Sequence, residues 1–159
     1  MAMNNDPRNA TLKTAAIVKG PGKLITMDST NNTVDLTAVG EIAIGVSAGD
    51  SSRTAAGVLD PAAGATVAYY PMGGVLMIQS AASMTWTTGL LVYATSLGLA
   101  TTSSGSSAKI IGTYVGEGQA TAAALTANGN SDSEQTDSAT LLLSEGEMIA
   151  VNTNGAVTA

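Results

Sequence analysis

The chain has 159 residues, a formal net charge of −6, only 11% charged residues and just six cationic side chains. A chain of this length fits one domain, and so few cations leave no basic patch for nucleic acid phosphates. Because Cys and His are both absent, disulfides and thiolate metal sites are excluded and the commonest general base is missing.

The hydrophobic residues, 45% of the chain, are mostly small. There is no Phe, a single Trp (Trp86) and four Tyr, so we expect a core of Val, Ile, Leu, Met and Ala. Small side chains bury less apolar area each, and such a domain should gain stability from oligomerisation or from docking on a larger surface.

The N-terminal stretch is polar and lacks the apolar segment of a signal peptide. No run approaches the ~18 apolar residues that a membrane span needs. We therefore expect a protein that is made in a cytoplasm, is soluble there and has no membrane partner.

In chain order, residues 1–16 predict an extended polar N-terminal arm and residues 17–159 a single β domain. Turn-forming residues separate short runs rich in Val, Ile, Leu, Thr and Tyr, the pattern of an all-β fold. The predicted strands are 15–19, 23–28, 33–37, 42–47, 66–71, 75–79, 90–95, 99–102, 109–115, 139–143, 147–152 and 156–158.

Two long loops rich in small polar residues are predicted at 48–64 and 116–138. Within the second, 119–128 fits either a short helix or a small-residue loop. The stretch 128–137 carries three acids among Asn and Ser, which are ligands of the kind that Ca²⁺ prefers. It lacks EF-hand spacing, so a solvated acidic loop is the better interpretation.

An internal repeat is the most informative pattern. Segment 22–47 matches 89–115, and the glycines of the two Ile-Gly pairs, Gly45 and Gly112, are 67 positions apart (112 − 45). A third, truncated copy is predicted at 146–158. Glycine within a strand implies a bulge or a close backbone approach. The repeat predicts a compact β-barrel or β-sandwich built from repeated short hairpins.

No motif for catalysis or cofactor binding has the required spacing. No Ser lies in a GxSxG turn, and the glycine-rich run at 19–24 lacks the GxxxxGK[ST] spacing of a phosphate-binding loop. We therefore expect no enzymatic activity, no cofactor and no metal. The remaining enzymatic alternative is a cofactor-free hydrolase that uses two of the scattered carboxylates.

The order of motifs resembles a family of tailed-bacteriophage head-decoration, or capsid cement, proteins. An AIGV strand at 43–46 is followed by a strand pair at 64–78, in which Gly74 leads the second strand. The resemblance covers 17–115, about two-thirds of the chain. It implies a virion protein on the outer surface of the capsid, with the major capsid protein as partner. It also implies homotrimers at three-fold and quasi-three-fold positions.

Under this hypothesis, the arm and a few isolated side chains would contact the capsid or a neighbouring protomer. The alternative is a carbohydrate- or receptor-binding β module on a virion or cell surface, centred on Trp86 and the long loops. For Trp86 itself, a half-buried core or interface anchor is the favoured interpretation over a sugar platform. The candidate contact residues are Asn4, Asn5, Asp6, Pro7, Arg8, Leu12, Arg53 and Trp86.

Overall fold

The computed structural model describes residues 6–119, 135–136, 140–143 and 147–155, and these form thirteen β-strands. The predicted all-β class is confirmed. In the described part of the chain no helix is long and apolar enough to cross a membrane. The strands are β1 (Arg8–Thr11), β2 (Leu24–Asp28), β3 (Thr33–Leu36), β4 (Ala43–Ser47), β5 (Thr66–Pro71), β6 (Val75–Gln79), β7 (Met84–Thr87), β8 (Leu91–Ala94), β9 (Ala100–Thr101), β10 (Ile110–Gln119), β11 (Gln135–Thr136), β12 (Thr140–Leu143) and β13 (Met148–Asn152).

The first sheet has the strand order β1-β5-β4-β2-β3, and all neighbouring strands are antiparallel. Its two edge strands also touch, because Leu12, directly after β1, forms a parallel bridge with Val34 of β3. The N–H of Lys13 donates to the carbonyl oxygen of Val34 at 2.9 Å. The sheet is thus curled until its edges meet, which covers edges that would otherwise be open.

The second sheet has the equivalent order β6-β13-β10-β8-β9, with β11 paired to the far end of β10. Its edges also meet at a parallel bridge, between Ser80 and Ala100. The N–H of Ala81 donates to the carbonyl oxygen of Ala100 at 2.8 Å. We call β1 to β5 the first unit, and β6, β8, β9, β10 and β13 the second unit.

The two units pair their strands in the same register. Ile25 of β2 lies opposite Gly45 of β4, next to a bulge. Val92 of β8 lies opposite Gly112 of β10, also next to a bulge. Both members of the pair are shifted by 67 positions (92 − 25 and 112 − 45), so the strand pairing has the same period as the sequence repeat.

Each of these two glycines packs against the next strand of its sheet. A Cβ on Gly45 would overlap the ring of Tyr69 and the carbonyl oxygen of Tyr70. A Cβ on Gly112 would overlap the carbonyl oxygen of Asn152. Only glycine permits such a close approach between backbones. The predicted bulge and close approach at the Ile-Gly pairs are confirmed.

The third segment of the predicted repeat has a different role. Met148–Asn152 forms a strand, but it lies between β6 and β10, where β5 lies in the first unit. It is therefore the counterpart of Thr66–Pro71 and not of Leu91–Ala94, as the sequence repeat implied. Residues 156–158 lie outside the described residues.

The second unit also contains an insertion. Strand β7 lies between β6 and β8 along the chain, and it pairs with β12 in a separate two-stranded sheet. Neither β7 nor β11 was predicted from the sequence. Strand β7 carries Trp86, whose side chain is directed into the protein.

Two hydrophobic clusters form the core. The cluster of the first unit contains Leu12, Val18, Ile25, Val34, Ala65 and Val67. The cluster of the second unit also takes in Leu24, Ala43 and Val46 from β2 and β4 of the first unit, so the units pack against each other through it. Trp86 and Tyr114 are the largest fully buried side chains, which corrects the expectation of a purely aliphatic core.

Backbone hydrogen bonds join the two units at a contact that we call the unit seam. The N–H of Leu24 donates to the carbonyl oxygen of Gly98 at 2.8 Å, and the N–H of Gly98 donates to the carbonyl oxygen of Thr37 at 3.1 Å. The N–H of Gln79 donates to the carbonyl oxygen of Gly22 at 2.8 Å. The seam is thus held by backbone groups as well as by apolar packing.

The N-terminal region differs from the prediction of an arm over 1–16. Arg8–Thr11 pairs with β5 along its whole length as β1. The strand predicted at 15–19 is not formed; Ala15 has a φ of 71° and lies in a turn. The pattern missed β1 because an exposed edge strand needs no alternation of apolar side chains.

The second long loop was predicted over 116–138, but β10 continues to Gln119. The remainder of the 119–128 segment lies outside the described residues. So does the acidic stretch 128–137, apart from Gln135–Thr136, which form β11.

Candidate functional site

Three of the predicted N-terminal contact residues are accessible. Asp6, Pro7 and Arg8 are exposed where the chain enters β1, and Arg8 lies opposite Tyr69 of β5. Because β1 is paired along its length, Arg8 has a fixed position on the first unit. Asn4 and Asn5 lie outside the described residues.

Leu12 is a core residue. Its side chain is almost fully buried within the first unit, together with Val34 and Ile25. Its N–H donates to the carbonyl oxygen of Ala65 at 2.7 Å. The prediction that Leu12 contacts a partner is wrong for this structure, because its side chain does not reach the surface.

Trp86 is also fully buried. Its Nε1–H donates to Ser80 Oγ at 2.9 Å, and its ring lies 5.8 Å from that of Tyr114 at an angle of 53°. A sugar-binding aromatic must expose a ring face, and a contact residue must reach the surface. The structure therefore confirms that Trp86 is a core side chain and corrects the other two interpretations: it is neither a sugar platform nor a contact residue.

The two units differ in the size of the residues at their closing bridges, and this difference relates to the burial of Trp86. Ser80 and Ala100 form the parallel bridge of the second unit, whereas the larger Leu12 and Val34 form that of the first. The second unit thus has less side-chain volume where its edges meet. Because Trp86 donates directly to Ser80, we infer that the indole ring supplies the missing volume, as close packing requires.

Arg53 is exposed and is engaged within its own loop. Its guanidinium forms an ion pair with Asp50 and donates to the carbonyl oxygen of Gly57. Together with the N–H of Gly20, which donates to Asp50 at 2.7 Å, Arg53 holds the pKa of Asp50 below its ordinary value. Arg53 is therefore held in one orientation on the surface of the first unit.

A polar cavity of about 240 Å³ lies beside β2 and β3. Lys13 Nζ lies 3.4 Å from a carboxylate oxygen of Asp28 and 3.8 Å from one of Asp35. The N–H of Thr30, and then Lys13, hold the pKa of Asp28 below its ordinary value. The ammonium group thus lies where a bound cation would have to be. In the part of the chain that the structure describes, no group of three or more His, Cys, Asp or Glu could hold a metal ion.

An apolar groove of about 250 Å³, which we call the junction groove, runs between the two units. Both units contribute walls, and its lining residues within the described part of the chain carry no charge. Such a groove is suited to an apolar side chain of a partner and not to acid–base chemistry. Its lining residues are Pro21, Gly22, Val46, Ser47, Tyr70, Val75, Leu76, Met77 and Met148.

The sequence could not have indicated the junction groove. Its residues come from five separate segments between Pro21 and Met148, and each segment looks like ordinary strand or turn. Only the outward position of Val75 could have been predicted. Side chains alternate between the two faces of a strand, and this alternation along β6 assigns Val75 to the outer face, where the structure has it.

Neither the protein-family models nor the curated proteins against which the chain was compared contain a match to it.

Proposed function

We propose that the chain is a structural virion protein that binds the outer surface of a phage capsid and stabilises the assembled head. It would act as a trimer at three-fold and quasi-three-fold positions. One observation carries the proposal. The two segments that resemble the head-decoration family, 43–46 and 64–78, correspond to the consecutive strands β4, β5 and β6, which run from the first unit into the second.

The charge distribution supports an outer position. The chain carries a net charge of −6, and Lys13 and Arg53 are paired with its own acids. Such a surface would be repelled by packaged DNA and tolerated on the outside of a shell. The absence of His and Cys from the sequence also favours a structural role over a catalytic one.

The proposed mechanism is clamping at several points. A small protein that makes modest contacts to more than one capsid subunit gains avidity, because the second contact forms at high effective concentration. The accessible residues at the start of β1 and the junction groove are two separate places at which such contacts can form. Disruption of the shell would then require both to break.

The test uses heads of the encoding virus that have been prepared without this protein. We expect saturable co-sedimentation of the protein with heads and an increase in their thermal disruption temperature. Deletion of residues 1–7 keeps β1 and Leu12 and should weaken binding at least tenfold. Deletion of 1–16 would remove β1 as well, so it could not separate binding from folding.

Arg53→Ala tests the predicted contact at Arg53 separately from the N-terminal deletion. Loss of binding in the deletion alone assigns the contact to the N-terminal segment. If the full chain does not sediment with heads at any concentration, the proposed function is refuted. If both variants bind like the full chain, the contact residues were predicted wrongly.

A further inference from the structure

The turn that leads from the first unit into the second is fastened by two residues that follow β13. The N–H of Gly73 donates to Thr153 Oγ1 and the N–H of Gly74 donates to Asn154 Oδ1, both at 2.8 Å. In return, the N–H and the Oγ1–H of Thr153 donate to the carbonyl oxygen of Gly74 at 2.8 and 3.0 Å. We call these four hydrogen bonds the turn clamp. Because Gly73 and Gly74 connect β5 with β6, the clamp fixes the passage between the units.

Asn154 is exposed, although its side chain is part of the turn clamp. Gly155, the next residue, is also exposed, and a Cβ on it would meet no atom within 4 Å. The sequence has one other Asn-Gly pair, at 128–129, which lies outside the described residues. The clamp thus contains an asparagine whose neighbour has no side chain and lies in open space.

The side-chain amide of an asparagine can react with the backbone nitrogen of the next residue. The two groups belong to one chain, so their reaction closes a five-membered ring with the advantage of proximity. Glycine as the next residue favours ring closure, because it has no side chain to obstruct the attack and its backbone is free to adopt the required angles. The open space around Gly155 leaves room for this ring.

We infer that Asn154–Gly155 is a modification site, at which the chain deamidates spontaneously. The backbone nitrogen of Gly155 gives up its proton and forms a bond to Cγ of Asn154, the bond from Cγ to Nδ2 breaks, and ammonia leaves. Water then opens the cyclic imide. Cleavage between the Gly155 nitrogen and Cγ gives aspartate, whereas cleavage between that nitrogen and the backbone carbonyl carbon of residue 154 gives iso-aspartate. In total one water is consumed and one ammonia released, with no oxidation or reduction.

The turn clamp also assists the reaction at Asn154. When the Gly155 nitrogen attacks Cγ, negative charge develops on Oδ1, and the N–H of Gly74 already donates to this atom. A hydrogen-bond donor that is aimed at a developing oxyanion stabilises it. Asn152 differs in its neighbour, because it is followed by Thr153, which is buried and branched at Cβ. We therefore expect modification at Asn154 and not at Asn152.

The two products affect the turn clamp differently. Aspartate keeps an oxygen in the place of Oδ1, so the N–H of Gly74 retains its acceptor. In iso-aspartate the main chain runs through Cγ, the carbon that carries this acceptor. The chain beyond residue 154 must then leave directly from the contact with Gly74, and the clamp is loosened. Iso-aspartate formation would thus weaken the fastening of the turn between the two units.

The inference is independent of the proposed function, since it needs only the purified chain. The two are compatible, because a protein on a finished shell is not replaced and a slow modification would accumulate as the shell ages. A chain that deamidates but does not bind heads refutes the proposed function alone. A chain that binds heads but does not deamidate at Asn154 refutes only the inference.

The test is storage of the folded chain in mildly alkaline buffer, with samples digested over several weeks and analysed by mass spectrometry. A protease that cleaves after Glu releases 148–159, which contains Asn152 and Asn154 but not Asn128. We expect this peptide to gain the mass of one deamidation, with fragment ions that place it at residue 154. Gly155→Val should slow the reaction about tenfold or more, because a branched side chain obstructs ring closure. It should leave the urea midpoint unchanged, since a Cβ there meets no neighbour.

Hydrogen exchange of the Gly74 amide, followed by NMR, tests the effect on the turn clamp. Asn154→Ala removes the acceptor and should speed exchange about fivefold, as expected for one hydrogen bond, whereas Asn154→Asp should leave it unchanged. The iso-aspartyl chain, isolated by chromatography, should exchange as fast as Asn154→Ala; exchange at the rate of the unmodified chain would refute the loosening of the clamp. If the synthetic peptide 148–159 deamidates and the folded chain does not, the clamp protects Asn154 and the inference is overturned. Equal modification of Asn152 and Asn154 would overturn it as well.

Discussion

Replacing Gly98 by Ala tests whether the unit seam holds the two units together. Gly98 has a φ of 67°, and a Cβ there would lie 2.5 Å from the carbonyl oxygen of Leu24 and 3.2 Å from the side chain of Leu36. The left-handed conformation costs an alanine about 1 kcal/mol. Relief of the overlap requires the turn to move away from β2, which weakens two backbone hydrogen bonds worth about 1 kcal/mol each. We expect a loss of about 2–3 kcal/mol in the free energy of unfolding.

The assay is urea unfolding followed by circular dichroism, with Asn32→Ala as the control. Asn32 is the equivalent residue of the first unit; its φ is 57° and it is exposed. Asn32→Ala therefore places an alanine at a positive φ on an exposed turn away from the unit seam. It should lower the free energy of unfolding by about 1 kcal/mol or less. Equal losses for Gly98→Ala and Asn32→Ala would refute the idea that the seam depends on close approach at Gly98.

Two further predictions concern the core and the ion pairs. Trp86→Phe removes the hydrogen bond to Ser80 Oγ and should lower the free energy of unfolding by about 2 kcal/mol; an unchanged urea midpoint, followed by circular dichroism, would contradict the buried position. The pKa values of Asp28 and Asp50 are lowered in the folded chain, so the folded state binds fewer protons than the unfolded state at these groups. Their stabilising effect is therefore complete above the ordinary pKa of 3.8 and is lost as the pH falls through the lowered values. Urea midpoints measured against pH should fall in this acidic range, and they should fall less steeply for the double variant Asp28→Asn/Asp50→Asn.

Duplication explains why the chain has both a covered and an open copy of one surface. The β2–β4 face of the first unit packs against the Gly98 turn of the second unit. The equivalent face of the second unit and the equivalent turn of the first unit do not take part in this contact. The exposed Leu91 lies on that face of the second unit, and the exposed Asn32 lies in that turn of the first unit.

Local pattern was sufficient for much of the fold. The all-β class, the hairpin of β2 with β3 and the close approach at Gly45 and Gly112 could all be predicted, because each depends on neighbouring residues or on a repeated motif. The equivalence of β13 with β5 could not be found by aligning the repeats in the sequence. Their inward side chains are Val67 and Ile149 in the same register, but many aliphatic sequences fit that position equally well.

Whether an individual side chain is buried or exposed could be decided only from the tertiary structure. The sequence by itself determined that the chain has no histidine or cysteine chemistry, and that its strands would be short and repeated. Whether Leu12 and Trp86 face a partner or the core depends on which strands meet at the closing bridge of each sheet, and that bridge joins segments about 20 residues apart. The exposure of Leu91 was likewise decided by packing. Leu24 and Leu91 occupy the same position of the repeat, and only the arrangement of the two units leaves one buried and the other open.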